Sequence, residues 1–127
     1  MSYYPLQSIP DYFGIDDLLS DEHKLIRQSV RDWVQSFIMP QIDEAAQHHK
    51  DIPNLMKELG SIGALGPYIP EEYGGAGLDQ ISYGLIMQEL ERGDSAVRSA
   101  ASVQSSLVMF PIFEYGIPFP PWTFATV

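Results

Sequence analysis

The hydrophobic positions of the chain recur at helical spacing. Leu25, Ile26, Val30, Trp33, Val34, Phe37 and Ile38 fall on one face of a 3.6-residue period. Ser20 stands ahead of this stripe and Asp21 and Glu22 follow it, an N-cap with first-turn acids that complement the helix dipole. The segment predicts the strongest helix of the chain. Pro40 biases Met39 away from helical backbone, so a kink or break is expected there, with a more polar helical piece from Gln41 to His49 beyond it. Asp51 and Pro53 predict the start of a third, short helix with Leu55, Met56 and Leu59 on its apolar face and Gly60 at its end.

Gly60, Gly63, Gly66, Gly74, Gly75 and Gly77 then crowd together with Pro67 and Pro70, a composition that predicts an ordered loop. Asp79 predicts the cap of a helix reaching Arg92, with Ile81, Leu85, Ile86 and Leu90 facing inward. Asp94 predicts the cap of another, from Ser95 to about Met109, so that the two form a tight hairpin across Gly93. The last helix is rich in small residues, Ala96, Ser99, Ala100, Ala101, Ser102, Ser105 and Ser106, which permit close approach of a backbone or a ligand. No repeat is visible, and no alternating stretch is long enough to predict a strand. The expected fold class is therefore all-α, a helical bundle over residues 15–116. Residues 1–14, with prolines and aromatics off helical spacing, predict an extended N-terminal arm anchored by its aromatic side chains. Residues 117–127, with Pro118, Pro120, Pro121 and Trp122 and no charged side chain, predict an irregular, apolar, Pro-rich C-terminal tail.

Length and charge narrow the function. A chain of 127 residues buries roughly two-thirds of its unfolded surface, enough for one core. Seventeen acidic residues against seven basic ones give a formal charge of -10, which repels phosphate and excludes nucleic acid and anionic membrane surfaces as partners. The longest apolar run, Leu107 to Phe113, is far shorter than the ~20 residues of a spanning helix, so no membrane insertion is expected. No basic residue precedes Lys24, and a cytoplasmic location is the expectation. The lack of cysteine excludes disulfides, thiol nucleophiles and thiolate metal sites.

Among candidate groups, Arg98 stands out as the only charged side chain between Asp94 and Glu114, on the small-residue helix. A guanidinium in such surroundings requires a carboxylate or phosphate partner. Two readings follow: an internal salt bridge, with Glu91 as a candidate, or a ligand's carboxylate. Gly74 to Gly77 could cradle a phosphate ahead of a helix, but the run lacks the Lys and Ser/Thr of a P-loop and reads as a structural turn. Glu44, His48 and His49 offer metal-ligand types, yet adjacent histidines point apart, and they read as solvated; no metal is expected. Glu71 and Glu72, and Glu89 and Glu91, read as surface or capping groups. No Ser-His-acid motif is present, and no catalytic residue is assigned within the chain.

The run from Leu59-Gly60 through Gly63 and Gly66 to Pro70-Glu71-Glu72-Tyr73-Gly74-Gly75-Ala76-Gly77-Leu78-Asp79 resembles the N-terminal domain of acyl-CoA dehydrogenases. The segment from Glu89-Leu90-Glu91-Arg92-Gly93-Asp94 through Arg98-Ser99 to Val108-Met109 looks like the glutaryl-CoA dehydrogenase branch, and the resemblance covers about Asp11 to Gly116. It implies a homotetrameric flavoenzyme of three domains, in which a Glu of the C-terminal domain takes the α-proton of an acyl-CoA and FAD accepts the β-hydride. In the glutaryl branch it further implies decarboxylation to crotonyl-CoA and transfer of electrons to electron-transferring flavoprotein. By the same resemblance Arg98, Ser99 and Glu91 match residues lining the distal end of the acyl pocket, where Arg98 receives the distal carboxylate, and Val103 matches a wall residue. After Gly116 the sequence departs from the family, which continues with a charged helix and a β-domain. The expected protein is thus an N-terminal fragment of an oxidoreductase, contributing an acyl-pocket wall without the catalytic Glu or most of the FAD site, and holding no flavin stably by itself. The alternative is a standalone helical interaction module that docks a partner through its apolar tail.

Overall fold

The computed structural model describes residues 12–116. Among these residues the regular structure is helical, without strands. A short 3-10 turn, Ile15–Leu18, leads into α1, Asp21–Trp33, which continues without interruption through a π-helical segment, Val34–Ile38, into α2, Met39–His48. α3 is Leu55–Ser61, and a long loop with a 3-10 turn at Glu71–Tyr73 connects it to α4, Gln80–Gly93. α5, Ser95–Ser102, again runs on through a π segment, Val103–Met109, into α6, Phe110–Tyr115. The all-α bundle expected from the pattern is the fold observed.

Ser20 caps α1 as expected: its Oγ accepts from the His23 amide at 3.2 Å, and His23 Nδ1 accepts from the Ser20 amide at 3.3 Å, a capping box closed by a histidine. His23 Nε2 also reaches Asp79 at 2.8 Å, and Asp79 caps α4 by accepting from the Ser82 amide at 2.8 Å. The two helix starts are thereby tied together. Asp79 is held down to about 2, first by the Ser82 amide and then by His23.

Of the kink or break expected at Pro40, the break is absent, and the reason is local. A proline in a helix interior clashes with the carbonyl four residues back and supplies no amide to it. Here the wider π turn comes first, so that the Met39 amide donates to Val34 O, five residues back, and Pro40 falls in the first turn of α2. Gln41 Nε2 then donates to the Phe37 carbonyl at 2.6 Å. The same device recurs in the second long helix: the Phe110 amide donates to Ser105 O, Pro111 follows at once, and the helix reaches Tyr115 instead of ending near Met109.

The core forms where α1, the first π segment, α4 and α5 meet, from Val30, Val34, Ile38, Leu59, Ala64, Ile86, Leu90, Val97 and Ala101. The expected stripe holds except at Leu25: Val30, Val34 and Ile38 are buried, Ile26, Trp33 and Phe37 pack against them, and Leu25 lies outside. On α4 the buried row is Ser82, Ile86, Glu89 and Leu90, and Ile81 faces solvent. Gly93 is required at the hairpin because a Cβ there would stand 2.6 Å from Val34 Cγ1. α3 starts differently from expectation: Asn54, in left-handed backbone at φ 57, occupies the N-cap, Asp51 does not cap, and Gly60 lies inside the helix.

The glycine-rich stretch is an ordered loop, partly buried at Ala64, Pro67 and Ile69. Its amides close on its own carbonyls, Gly74 on Glu71 at 2.9 Å, Gly75 on Pro70 at 3.2 Å and Gly77 on Ile69 at 2.9 Å. A Cβ at Gly75 would collide with the Ile69 carbonyl. Of the expected N-terminal arm, Tyr12, Phe13 and Gly14 are exposed, and residues 1–11 lie outside the described residues, as does the tail from residue 117.

Candidate functional site

The site of interest is built by the last turn of α4 and the first turns of α5. Residues two apart on a helix are rotated by ~200°, so Glu89 and Glu91 point to opposite sides of α4. Glu89 turns into the bundle and is completely buried, against the expectation of a surface or capping group. Arg31 of α1 crosses to it and donates twice, Nε to Oε2 at 2.9 Å and Nη2 to Oε1 at 2.8 Å. Arg92 Nε stands 3.6 Å from the same carboxylate. Glu89 holds the Arg31 guanidinium protonated more firmly than usual. A carboxylate in this position costs free energy unless it is paired and hydrogen-bonded, and here it is both.

Glu91 turns outward, where α5 meets it. Asp94 leaves helical backbone, at φ -165 and ψ 136, and caps α5 through its own Oδ1, which accepts from the Ala96 amide at 2.8 Å and the Val97 amide at 3.1 Å. The tight reversal at Gly93 and Asp94 places Ser95 and Arg98 over the end of α4. Arg98 Nε donates to Glu91 Oε2 at 2.6 Å, Ser95 Oγ donates to Glu91 Oε1 at 2.6 Å, and Arg98 Nη1 donates to Ser102 Oγ at 3.3 Å. Arg98, with Ser95 behind it, holds the Glu91 carboxyl below the usual carboxylate range. The side chains remain open to solvent, 36% for Arg98 and 46% for Glu91.

The structure thus brings Glu91 and Arg98 into contact, the internal ion pair of the first sequence reading. Ser99, partly buried, and Val103, 48% exposed, lie one turn apart along the next face of the same helix and touch neither partner of the pair by a hydrogen bond. Sequence reasoning missed Ser95 and Ser102. Their only signal was spacing, each four residues from its partner, Glu91 to Ser95 and Arg98 to Ser102. It also missed Ser105, fully buried on the second π segment, whose Oγ accepts from the Gly66 amide at 2.9 Å and donates to the Ala64 carbonyl at 3.3 Å, fastening the loop to the helix.

The other candidates reduce to architecture. Glu44 pairs with Lys50 at 2.7 Å, and no cluster of three metal-ligand side chains occurs among the described residues. The amides of Gly74, Gly75 and Gly77 are spent within the loop and do not converge on an anion site. A cleft of about 210 Å³ lined by Gln41, Glu44, Ala45, Lys50, Asp51, Ile52 and Pro53 falls below the roughly 300–1,000 Å³ of small-molecule sites. No helix among the described residues is long and apolar enough to cross a membrane.

Residues 20–118 match the family model of the acyl-CoA dehydrogenase N-terminal domain. The chain belongs to the acyl-CoA dehydrogenase family. It is 32% identical over 98 residues to the mitochondrial short-chain specific acyl-CoA dehydrogenase of Bos taurus, covering 77% of this chain and 24% of that protein. Identity reaches 40% over 77 residues with a probable acyl-CoA dehydrogenase of Bacillus subtilis, covering 60% of this chain and 13% of that protein. A glutaryl-CoA dehydrogenase of Mycobacterium smegmatis in complex with FADH2 superposes with a TM-score of 0.80 at 39% identity, covering 91% of this chain and 29% of that one. A second structure of glutaryl-CoA dehydrogenase from the same organism superposes with a TM-score of 0.76 at 41% identity, covering 84% of this chain and 28% of that one. The chain spans about a quarter of the length of the bovine relative it matches. Its fold is thus that of the helical N-terminal domain of this oxidoreductase family.

Proposed function

We propose that this chain supplies one wall of the acyl pocket of an FAD-dependent acyl-CoA dehydrogenase acting on glutaryl-CoA, with Arg98 receiving the distal carboxylate of the acyl chain. One observation carries the reading. Arg98 is anchored by Glu91 and Ser102, yet these use only two of the five N–H donors of its guanidinium, Nη2 has no hydrogen-bond partner among the described residues, and the side chain is open. A guanidinium held in place before a ligand arrives, with Nη2 open, suits a carboxylate. The likeness to the Mycobacterium smegmatis glutaryl-CoA dehydrogenase supports the choice of substrate.

In this reading Glu91 orients Arg98, while Ser99 and Val103 line the adjoining helix face and shape the chamber beside the acyl chain. FAD, when bound in the complete enzyme, supplies the hydride acceptor. Neither the closed glycine loop nor the α2 cleft of this chain matches a dinucleotide, so no step through the flavin falls to these residues. The base that takes the α-proton, the decarboxylation to crotonyl-CoA, the docking of electron-transferring flavoprotein and the tetramer belong, in the same proposal, to the longer protein. Leu107, 69% exposed, lies beyond Val103 on the same helix together with exposed Phe110 and Ile112, an apolar row suited to burial against further domains.

The test is a chimera in which residues 20–116 replace the matching segment of the Mycobacterium smegmatis enzyme. Arg98→Ala is expected to lower kcat/KM for glutaryl-CoA roughly 10- to 100-fold, the loss of a charge-assisted pair, and to change butyryl-CoA turnover little. Equal losses on both substrates would sink the assignment.

A further inference from the structure

Two Arg–Glu pairs on α4 differ in a way that their own composition does not explain. Glu89 takes Arg31 with both oxygens, Oε2 on Nε and Oε1 on Nη2. Glu91 takes Arg98 with Oε2 alone, on Nε. The geometry that would close the second fork, Oε1 on Nη2, is the geometry the first pair adopts. In the second pair Oε1 turns instead to Ser95, whose hydroxyl donates to it at 2.6 Å.

We propose that Ser95 is a positioning residue that holds Glu91 to a single oxygen on Arg98, and so keeps the Nη2 edge of the guanidinium vacant for the carboxylate of a ligand. The inference rests on the reading of Arg98 as a carboxylate clamp and adds the device that keeps the clamp open. Ser95 is well placed for the task. It is the first residue of α5, directly after the Asp94 cap, so its backbone is fixed by the Ala96 and Val97 amides on Asp94 and its hydroxyl overhangs the last turn of α4. Glu91 is held by both contacts: an exposed glutamate tethered at one oxygen rotates about its terminal torsion, and Arg98 is already bound to its other oxygen. Removing the hydroxyl frees Oε1 to close a fork like that of Arg31, and the internal carboxylate then takes one of the two Nη2 donors from the external one. Ser102, on the other side at Nη1, limits rotation of the guanidinium.

The experiment uses the full chain and two probes, the N-acetylcysteamine thioester of glutaric acid and that of its uncharged monoamide, with side-chain ¹⁵N spectra of Arg98 and dissociation constants read together. The unsubstituted protein is expected to prefer the carboxylate probe by roughly tenfold. Ser95→Ala should cut that preference to about twofold and split the two Nη signals of Arg98 as its fork closes, and Ser95→Thr, which restores a hydroxyl, should return both readouts. A preference that survives Ser95→Ala, or a loss that Ser95→Thr does not repair, overturns the role of Ser95 while leaving Arg98 as the clamp. Equal affinity for the two probes in the unsubstituted protein, unchanged by Arg98→Ala, overturns the clamp reading and this inference with it.

Discussion

Two glutamates of α4, separated by one residue, do opposite things with an arginine. Glu89 is fully buried and saturates Arg31 with two hydrogen bonds, drawing Arg92 alongside. Glu91 is 46% exposed, shares its oxygens between Arg98 and Ser95, and leaves most of the guanidinium unused. The first pair ties α1 to α4 in a low-dielectric interior, where a lone charge is not tolerated. The second is cheap to break and retains donors that an incoming group can take. Burial makes one pair a fastener, and exposure leaves the other the donors that the proposed carboxylate would take.

The sharpest way to break the comparison is to remove each carboxylate in turn. Glu89→Ala leaves Arg31 facing a cavity, and unfolding by urea should show a loss of about 3 kcal/mol, the lower end for a broken buried pair because Arg31 is itself 29% exposed. Glu89→Gln, which keeps an acceptor, should recover part of the loss. Arg98→Ala, by contrast, should shift the urea midpoint no more than about a quarter as far, since exposed pairs are partly replaced by water. Comparable shifts for the two substitutions would show that the outer pair is structural after all, and the case for a receptor would weaken accordingly.

The difference between the pairs also marks where sequence reading stops. The starts of α1, α4 and α5 were legible, because Ser20, Asp79 and Asp94 act through their own neighbours within three residues, whereas that of α3 was not. So was the character of the glycine loop, whose turns are set by local left-handed positions such as Gly63 and Gly66. The continuous path through Pro40 was not, since local preference says break and only the π turn upstream removes the clash. The partner of Arg98 was within reach at seven residues, two helix turns folded over a glycine hairpin. The partner of Glu89 was not, because Arg31 lies 58 residues away and nothing short of the packing of α1 on α4 joins them. Ser95 entered only as the first residue of its helix, and the role proposed for it turns on which oxygen it meets, which spacing alone does not give.

The smallest expected effect is also the most direct view of the open pair, the titration of Glu91 itself. Its carboxyl sits below the ordinary value of 4.5 because Arg98, and then Ser95, donate to the charged form. A depressed folded value means that the stabilisation is present above the unfolded value and is lost as pH falls through the folded one. Carboxyl ¹³C shifts should therefore report a midpoint below 4.5 in the unsubstituted protein, and unfolding curves of the protein and of Glu91→Gln should draw together as pH falls beneath that midpoint. Arg98→Ala removes the larger cause and should raise the midpoint toward 4.5, and 1 M salt should raise it part of the way, because an exposed charge is screened within about 3 Å under those conditions. Ser95→Ala separates the two accounts of Glu91. If the serine merely adds a donor, its loss raises the midpoint. If it holds the carboxylate away from a full fork on Arg98, the new bond to Nη2 compensates for the lost hydroxyl and the midpoint stays low, while the arginine closes.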